Sequence, residues 1–277
     1  MGNVKAEQPQ ISIAAYGLSA TGKQRAINED ALLLTDFANA CYGTSKLKLD
    51  RLGERGTLLA VADGMGVVEA GEVASAMAVT VLYHGLRQAT LPRVHSEQLR
   101  QVVEYANACI WRHARQNPPL RGMGTTLTAA LVRGEIAYLA QVGDSRAYLI
   151  RGGGIRQLTK DQSLMQNLLN ECLLFPEELM EERGLPLPVL GANPDVEVTL
   201  GALALEREDY LLLCSDGLSN QLTAVEMQQI VQRSDSPASA CHRLTELAHE
   251  RGGEDNVSVI VAQFAGEGLY QASKKVA

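Results

Sequence analysis

Carboxylate side chains recur at five sites where strands are predicted to end, and each site lies beside a glycine or an asparagine. The sites are Glu29-Asp30, Asp63, Asp144, Asp216 and Asp255. Three of these sites follow strongly hydrophobic runs, and one precedes another such run. A turn residue or a helix cap would explain any single acid. That explanation weakens for five strand-end sites together, because a charge at the edge of a low-dielectric core is costly to leave unpaired.

Acids that converge on one cleft need cations to neutralise them. Hard oxygen ligands, without Cys or His, favour Mg²⁺ or Mn²⁺. Two such ions held about 3.5–4 Å apart lower the pKa of bound water and hold the attacking and leaving oxygens of a displacement at phosphorus. The residue types therefore indicate metal-assisted phosphoester chemistry.

Strands and helices alternate along the chain and must position these acids. Short aliphatic or β-branched runs predict strands at 11–16, 57–62, 126–132, 136–142, 146–151, 196–200, 210–214 and 257–264. Apolar residues at three- and four-residue spacing predict helices at 70–89, 97–116, 162–171, 176–183, 224–233 and 237–251. Thr223, followed three residues later by Glu226, is typical of a capping box.

Very short connections at 133–134, 143–145 and 152–154 separate consecutive predicted strands. Such connections favour antiparallel hairpins, since parallel crossovers need a dozen residues or more. We therefore expect an α+β antiparallel meander, with its faces covered by the helical blocks 70–116 and 224–251. No repeat or linker is evident, so residues 1–277 are expected to form a single domain, with excursions at 36–56 and 175–195.

Three other patterns suggest a function at first sight but lack a residue or a spacing that the function requires. Residues 17–23 resemble a phosphate-binding loop, but Gln24 stands where a Ser or Thr hydroxyl is required, so a strand-connecting turn is expected. Cys109 and Arg115 have the spacing of cysteine-dependent phosphatases, but they lie in a helical pattern without a glycine. The five histidines lack metal-ligand spacing, so zinc is not expected.

Composition limits the partners. The 277 residues carry a net charge of −7, with no block of Lys and Arg. Nucleic acids and anionic membranes are therefore not expected as partners, although a single phosphate needs only one well-placed Arg. Five scattered cysteines without a C-x-x-C pair predict neither a zinc knuckle nor a disulfide framework. No hydrophobic signal region or membrane-length run is present, so a cytoplasmic protein is expected.

Six ordered motifs give the sequence a family resemblance. They are Arg25-Ala26-Ile27-Asn28-Glu29-Asp30, Asp63-Gly64-Met65-Gly66, Gly122-Met123-Gly124-Thr125-Thr126, Gly143-Asp144-Ser145-Arg146, Ser215-Asp216-Gly217-Leu218 and Asp255-Asn256-Val257. The series strongly resembles the bacterial form of the type 2C metal-dependent protein serine/threonine phosphatases, over about residues 12–264. The resemblance implies a four-layer α–β–β–α sandwich, with a dinuclear Mn²⁺ or Mg²⁺ centre at one end of two antiparallel sheets.

The resemblance also implies roles for individual acids. Asp63 would bridge both ions, and Asp216 and Asp255 would complete the ligands of the first ion. Asp144 would join Asp216 in holding a weaker third ion.

The other motif residues would support that centre. The carbonyl oxygen of Gly64 would bind the second ion, together with Glu29 and Asp30, directly or through water. Asn256 is expected to orient Asp255. Arg25 has a planar guanidinium that can hold two phosphate oxygens at once, so it is expected to bind the substrate phosphate.

The chain departs from the family pattern in several places. Val67 and Val68 replace a common Gly-His, and Met65 stands where eukaryotic members have a candidate general acid. Gln162 replaces the histidine of a Lys-Asp-His-Ser motif. The following loop, 182–195, which corresponds to the family's mobile flap over the substrate, lacks the usual His-Pro and Arg-Asn elements.

The main hypothesis is hydrolysis of phosphoserine and phosphothreonine on proteins by direct attack of activated water, with Arg25, Asp63 and Asp216 as the catalytic set. The expected partners are phosphorylated proteins, substrates of a Ser/Thr kinase, and the kinase itself. A monomer is expected. One alternative is a non-catalytic phosphoprotein-binding module on the same fold, and another is a phosphatase for small phosphoesters.

Overall fold

Two antiparallel sheets form the centre of the molecule. The computed structural model describes residues 11–37, 40–43, 47–50, 52–53, 55–66, 70–88, 95–162 and 188–270. Its strands are β1 (Ser12–Ala20), β2 (Asp30–Thr35), β3 (Ala40–Gly43), β4 (Leu47–Leu49), β5 (Thr57–Met65), β6 (Gly124–Thr125), β7 (Leu127–Arg133), β8 (Ile136–Val142), β9 (Arg146–Arg151), β10 (Gly154–Gln157), β11 (Thr199–Ala204), β12 (Tyr210–Cys214) and β13 (Val257–Ala265).

The strands divide between the sheets in a non-sequential order. The first sheet runs β10-β9-β12-β13-β1-β4, and the second runs β11-β8-β7-β5-β2-β3 with β6 paired to β5. All the strand pairs recorded within the two sheets are antiparallel. The prediction of two antiparallel sheets is confirmed.

Helices cover the outer face of each sheet. They are α1 (Ala70–Gln88), α2 (His95–Gln116), α3 (Asp216–Ser219), α4 (Ala224–Arg233) and α5 (Pro237–Glu250), with a 3₁₀ turn at Pro118–Leu120. Apolar residues of α1 and α2 pack on the second sheet, and those of α4 and α5 pack on the first. Thr223, the N-cap of helix α4, forms the predicted capping box with Glu226. The four-layer α–β–β–α sandwich is therefore confirmed.

A third apolar cluster fills the space between the sheets. Leu59 and Val61 from the second sheet meet Leu211, Leu213 and Ile260 from the first, and all five are fully buried. Because both faces of these central strands are covered, their sequences are continuous apolar runs rather than alternating ones. The central strands are consequently rigid supports for residues at their ends.

The connection at 143–145 corrects the predicted meander. Strand β8 pairs with β7 and β11 in the second sheet, whereas β9 pairs with β10 and β12 in the first. The chain therefore passes from one sheet to the other at Gly143-Asp144-Ser145, where a hairpin was expected. The connections at 133–134 and 152–154 are hairpins as predicted.

The strands at 136–142, 146–151 and 210–214 and the helix at 224–233 have the predicted bounds. Strands β2 and β10 were not predicted, β3 and β4 lie in a region read as an excursion, and β11 begins at Thr199 rather than at 196. Gln162 lies in irregular chain, and the rest of the two helices predicted at 162–171 and 176–183 falls outside the described residues. Within the described part of the chain, no helix is long and apolar enough to cross a membrane.

Candidate metal centre

Four of the predicted acids meet where one end of each sheet comes together. Asp30 opens β2 and lies directly opposite Asp63, near the end of β5 in the second sheet. Asp216 follows β12 and Asp255 precedes β13, two adjacent strands of the first sheet. The two sheets thus each supply two carboxylates, and the charges are close enough to raise the pKa of Asp63.

Asp63 and Asp216 lie in hydrogen-bonding contact with each other across the two sheets. Desolvation, followed by the charges of Asp30, Asp216 and Asp255, raises the pKa of Asp63 well above its usual range. Burial and the neighbouring Asp255 also raise the pKa of Asp216. In the absence of a cation the pair therefore holds a proton more tightly than free carboxylates would.

Asp30 is completely buried. Burial raises its pKa to about 7, although hydrogen bonds from Ser258 and Ser215 act in the opposite direction. The Ser215 hydroxyl donates to Asp30 Oδ2 at 2.9 Å, while Oδ1 is buried without a partner. One oxygen of this carboxylate is therefore available for a further ligand.

Asp144 lies at the sheet-to-sheet crossing and is partly exposed. Burial and the charge of Asp216 raise its pKa to about 6. The side chain of Gln162 accepts a hydrogen bond from the backbone N–H of Gly143 at 2.8 Å, and the Gln162 N–H donates back to the Gly143 carbonyl at 3.1 Å. The residue that departs from the family pattern thus fixes the loop that carries Asp144.

Arg25 is brought to the acids, where it pairs with Asp255. Its Nη2 donates to Asp255 Oδ2 at 2.6 Å, while 48 % of the Arg25 side chain stays exposed. This hydrogen bond is the main cause that raises the pKa of Arg25. The guanidinium therefore stands at an open position beside the carboxylates.

Asn256 and Glu29 hold the segment that carries Arg25. Asn256 accepts from the Glu29 N–H at 3.0 Å and donates to the Ile27 carbonyl at 3.0 Å, while only its backbone N–H contacts Asp255. The Glu29 carboxylate accepts from the N–H of Gly71, at the first turn of α1. Burial raises the pKa of Glu29. The side chains of Asn256 and Glu29 thus hold the backbone segments that surround the site in place.

Gly64 must be a glycine because of its surroundings. A Cβ there would lie 2.1 Å from the Gly71 carbonyl oxygen and 2.5 Å from that of Glu29, and both are backbone atoms. This close approach lets helix α1 begin beside the end of β5.

Two neighbouring threonines, for which the motifs predicted no role, support Asp63. The Thr125 hydroxyl donates to the Asp63 carbonyl at 2.9 Å, and Thr126 exchanges two hydrogen bonds with the Asp63 backbone. Their place in the Gly-Met-Gly-Thr-Thr motif was the available signal.

The donor chemistry fits divalent metal ions. The convergent atoms are carboxylate oxygens, and Asp216 Oδ1, like Asp30 Oδ1, is buried without a hydrogen-bond partner. As they stand, no three His, Cys, Asp or Glu side chains of the described residues are grouped closely enough to hold one ion. The Asp255 carboxylate forms an ion pair with Arg25 and does not take part in such a group. The five histidines lie in helices α1, α2 and α5.

Comparison with known proteins agrees with this geometry. Residues 46–250 match the family Protein phosphatase 2C. The chain belongs to this family. A serine/threonine phosphatase, stp, of Listeria welshimeri is 36 % identical over 211 residues, which cover 74 % of this chain and 84 % of that protein. The PstP phosphatase of Mycobacterium tuberculosis is 41 % identical over 207 residues, but the match covers only 40 % of its length.

Solved structures of the family have the same fold. The catalytic domain of PstP, crystallised in complex with two manganese ions, superposes with a TM-score of 0.74 at 36 % identity, covering 92 % of this chain and 99 % of that one. The serine/threonine phosphatase Stp1 of Staphylococcus aureus gives a TM-score of 0.74 at 31 % identity, covering 90 % and 94 %. As a member of the family, the protein is a phosphoprotein phosphatase.

Proposed function

We propose that the protein hydrolyses phosphoserine and phosphothreonine on proteins, using water activated by a dinuclear Mn²⁺ or Mg²⁺ centre. One observation carries the proposal. The carboxyl groups of Asp63 and Asp216, which come from two different sheets, interact at the end of the sandwich, and Asp30, whose charge also acts on Asp63, has a buried oxygen without a hydrogen-bond partner. The names of the Listeria welshimeri and Mycobacterium tuberculosis relatives, both serine/threonine phosphatases, support the same substrate class.

Asp63 would bind both metal ions, and Asp216 and Asp255 would complete the ligands of the first. The second ion would be bound by Gly64, Glu29 and Asp30. Asp144, together with Asp216, would hold a weaker third ion. When bound, such ions lower the pKa of water and neutralise charge on the phosphoryl oxygens. The manganese ions in the PstP catalytic domain support this cofactor choice.

Arg25 would bind the phosphate. Its guanidinium is half-exposed and pairs with one carboxylate oxygen, so an incoming phosphate dianion would compete with Asp255 for the same N–H groups. Asn256, which holds the backbone of Ile27 and Glu29, would keep Arg25 at a fixed distance from Asp63. In this arrangement the chain itself orients the phosphorus toward the attacking water.

The experiment is release of phosphate from a phosphothreonine peptide, measured with Mn²⁺, after EDTA treatment, and in an Asp216→Asn variant. We expect EDTA to abolish turnover, and the substitution to lower kcat by roughly a hundredfold or more while the fold survives. Asp235→Asn, an exposed acid between α4 and α5, is the matched control and should turn over normally. Activity that is indifferent to both EDTA and Asp216→Asn would overturn the proposal.

A phosphopeptide that binds without ever being hydrolysed would instead favour the non-catalytic binding module. Faster turnover of a small aryl phosphate than of any phosphopeptide would favour the small-phosphoester alternative. We further propose that residues 1–277 act as one domain and as a monomer in the cytoplasm, on substrates of a Ser/Thr kinase. The continuous apolar cluster between the two sheets supports the single domain.

A further inference from the structure

A cavity of about 440 Å³ lies outside the acidic site, at the C-terminal end of helix α2. Its walls are the last turns of that helix, the loop at 121–122 and residues 191–192. Trp111 and Arg115 line it from the helix, and Arg121 lines it from the loop. The Arg115 guanidinium lies over the Trp111 ring, 5.0 Å from its centroid.

The walls of this cavity are well fixed. The buried side chain of Asn107 accepts from the Gly191 N–H at 2.7 Å and donates to the carbonyls of Asn193 and Pro194, both at 3.0 Å. Gly191 has a φ of +91°, and a Cβ there would lie 2.4 Å from the Ile110 side chain. The chain can therefore pass the end of α2 only with a glycine at this point.

The charge of the cavity is unusual for this protein. The chain carries a net charge of −7, yet neither Arg115 nor Arg121 forms an ion pair with any acid that the structure describes. Stacking on Trp111 four residues earlier would account for Arg115 as an ordinary helix-surface pair. It does not account for Arg121, which reaches the same cavity from a different element. Two guanidiniums facing one space match carboxylate oxygens.

A short stretch of backbone connects the cavity to the acidic site. Leu190, next to Gly191, exchanges two backbone hydrogen bonds with Thr125, at 3.1 and 2.9 Å. Thr125 pairs with Gly64 and donates to the Asp63 carbonyl. Gly122, on the cavity wall, is three residues from Thr125 and so lies within about 11 Å of it. A few extended residues of a bound peptide would span that distance.

We propose that this cavity binds an acidic segment of the phosphoprotein substrate, a run of Asp or Glu a few residues from the phosphorylated side chain. The proposal rests on the function proposed above. Arg115 and Arg121 would pair with the carboxylates, and the Trp111 ring would pack against their apolar stems. The protein would then favour phosphorylation sites in acidic sequence contexts.

The kinetic test uses two pairs of phosphothreonine peptides. In one pair a run of Glu lies before the phosphorylated residue, in the other it lies after it, and each has a partner in which every Glu is replaced by Gln. Wild type is compared with the double variant Arg115→Gln/Arg121→Gln. Arg112→Gln, an exposed residue of α2 that does not line the cavity, is the matched control. Thermal unfolding verifies that the variants fold.

We expect the double variant to raise KM for at least one acidic peptide roughly tenfold, consistent with the loss of two charged hydrogen bonds. The kcat value, the Gln peptides and a small aryl phosphate should be unaffected, and the difference should shrink in high salt. Equal changes for the acidic and Gln peptides, or no change for either, would overturn the inference.

A binding measurement separates this inference from the catalytic proposal. Trp111 is the single tryptophan of the chain, so its fluorescence reports on the cavity. Unphosphorylated acidic peptide, titrated into metal-free protein, should change the emission of wild type and of Arg112→Gln, and bind at least several-fold more weakly to the double variant. If no phosphopeptide is hydrolysed, the catalytic proposal fails, but the fluorescence titration still shows whether the cavity binds an acidic peptide. An emission that no acidic peptide changes would contradict the cavity assignment.

Discussion

Two fully buried aspartates lie near opposite ends of β12 and have very different surroundings. Asp209 precedes the strand and receives hydrogen bonds from Arg151 at 2.7 and 2.6 Å and from the Glu206 N–H at 2.7 Å. Asp30 lies beyond the other end, where Ser215 donates to one oxygen and the second has no partner. Both carboxyl groups are 0 % exposed, so burial alone does not distinguish them.

The difference lies in the source of the compensating charge. At the Asp209 end the fold supplies its own cation, and the buried acid is part of an ion pair that stabilises the structure. At the Asp30 end acids crowd together, and Arg25, which pairs with Asp255, is half-exposed. A buried acid without an internal cation is costly, so such a cluster indicates binding of cations from solution.

The largest change in stability is expected from Arg151→Ala. Removing the guanidinium leaves Asp209 buried without its cation, and we expect the free energy of unfolding to fall by about 3 kcal/mol, below the full value for a buried pair because a third of Arg151 is exposed. Urea unfolding measures the effect. Arg156→Ala, an exposed residue of β10, is the matched control, and equal stability of the two variants would show that Asp209 does not depend on its partner.

Asp63→Asn should stabilise the metal-free protein, whereas Arg151→Ala destabilises it. In metal-free protein the new amide can donate to Asp216 in place of a shared proton, while one of the crowded charges disappears. We expect the free energy of unfolding at pH 7.5 to rise by roughly 1–2 kcal/mol, although the variant should be inactive. The measurement is urea unfolding in EDTA. A destabilised variant would mean that the acids support the fold rather than oppose it.

A smaller effect is expected from pH. The pKa of Asp30 is raised to about 7 from an ordinary value of 3.8, so between these values the folded state holds a proton that the unfolded state has lost. Metal-free protein should therefore lose stability as pH rises from about 4 to 7. Unfolding in EDTA at pH 5 and pH 7.5 tests this, with Asp30→Asn as the comparison. The variant should show a flatter dependence, and an unchanged slope would contradict the assignment.

The ordered motifs allowed the acids and the two-sheet fold to be predicted, because the carboxylates stand beside apolar runs that sequence periodicity reveals. Strand β2 was missed because its apolar run, 31–34, is only four residues long, and a run this short does not by itself distinguish a strand from a helix. The crossing at 143–145 was read as a hairpin because a short connection alone does not show which sheet the next strand joins.

Contacts between distant residues could not be predicted from spacing. The pairing of Arg25 with Asp255 joins positions 230 residues apart, and the bond from Ser215 to Asp30 joins positions 185 apart. The Glu29 side chain, which stays a predicted ligand of the second ion, also accepts from the N–H of Gly71 at the start of α1, a contact that spacing did not indicate. Such details depend on how the two sheets pack.

The most direct test of the account is the number of Mn²⁺ ions that the protein takes up, measured by isothermal titration calorimetry on wild type, Asp63→Asn and Asp209→Asn. The account predicts two tightly bound ions per chain in wild type, loss of that binding in Asp63→Asn, and full binding in any Asp209→Asn protein that folds. Wild type that binds no Mn²⁺, or an Asp63→Asn variant that binds it unchanged, would contradict the claim that the unpaired acids are a metal centre.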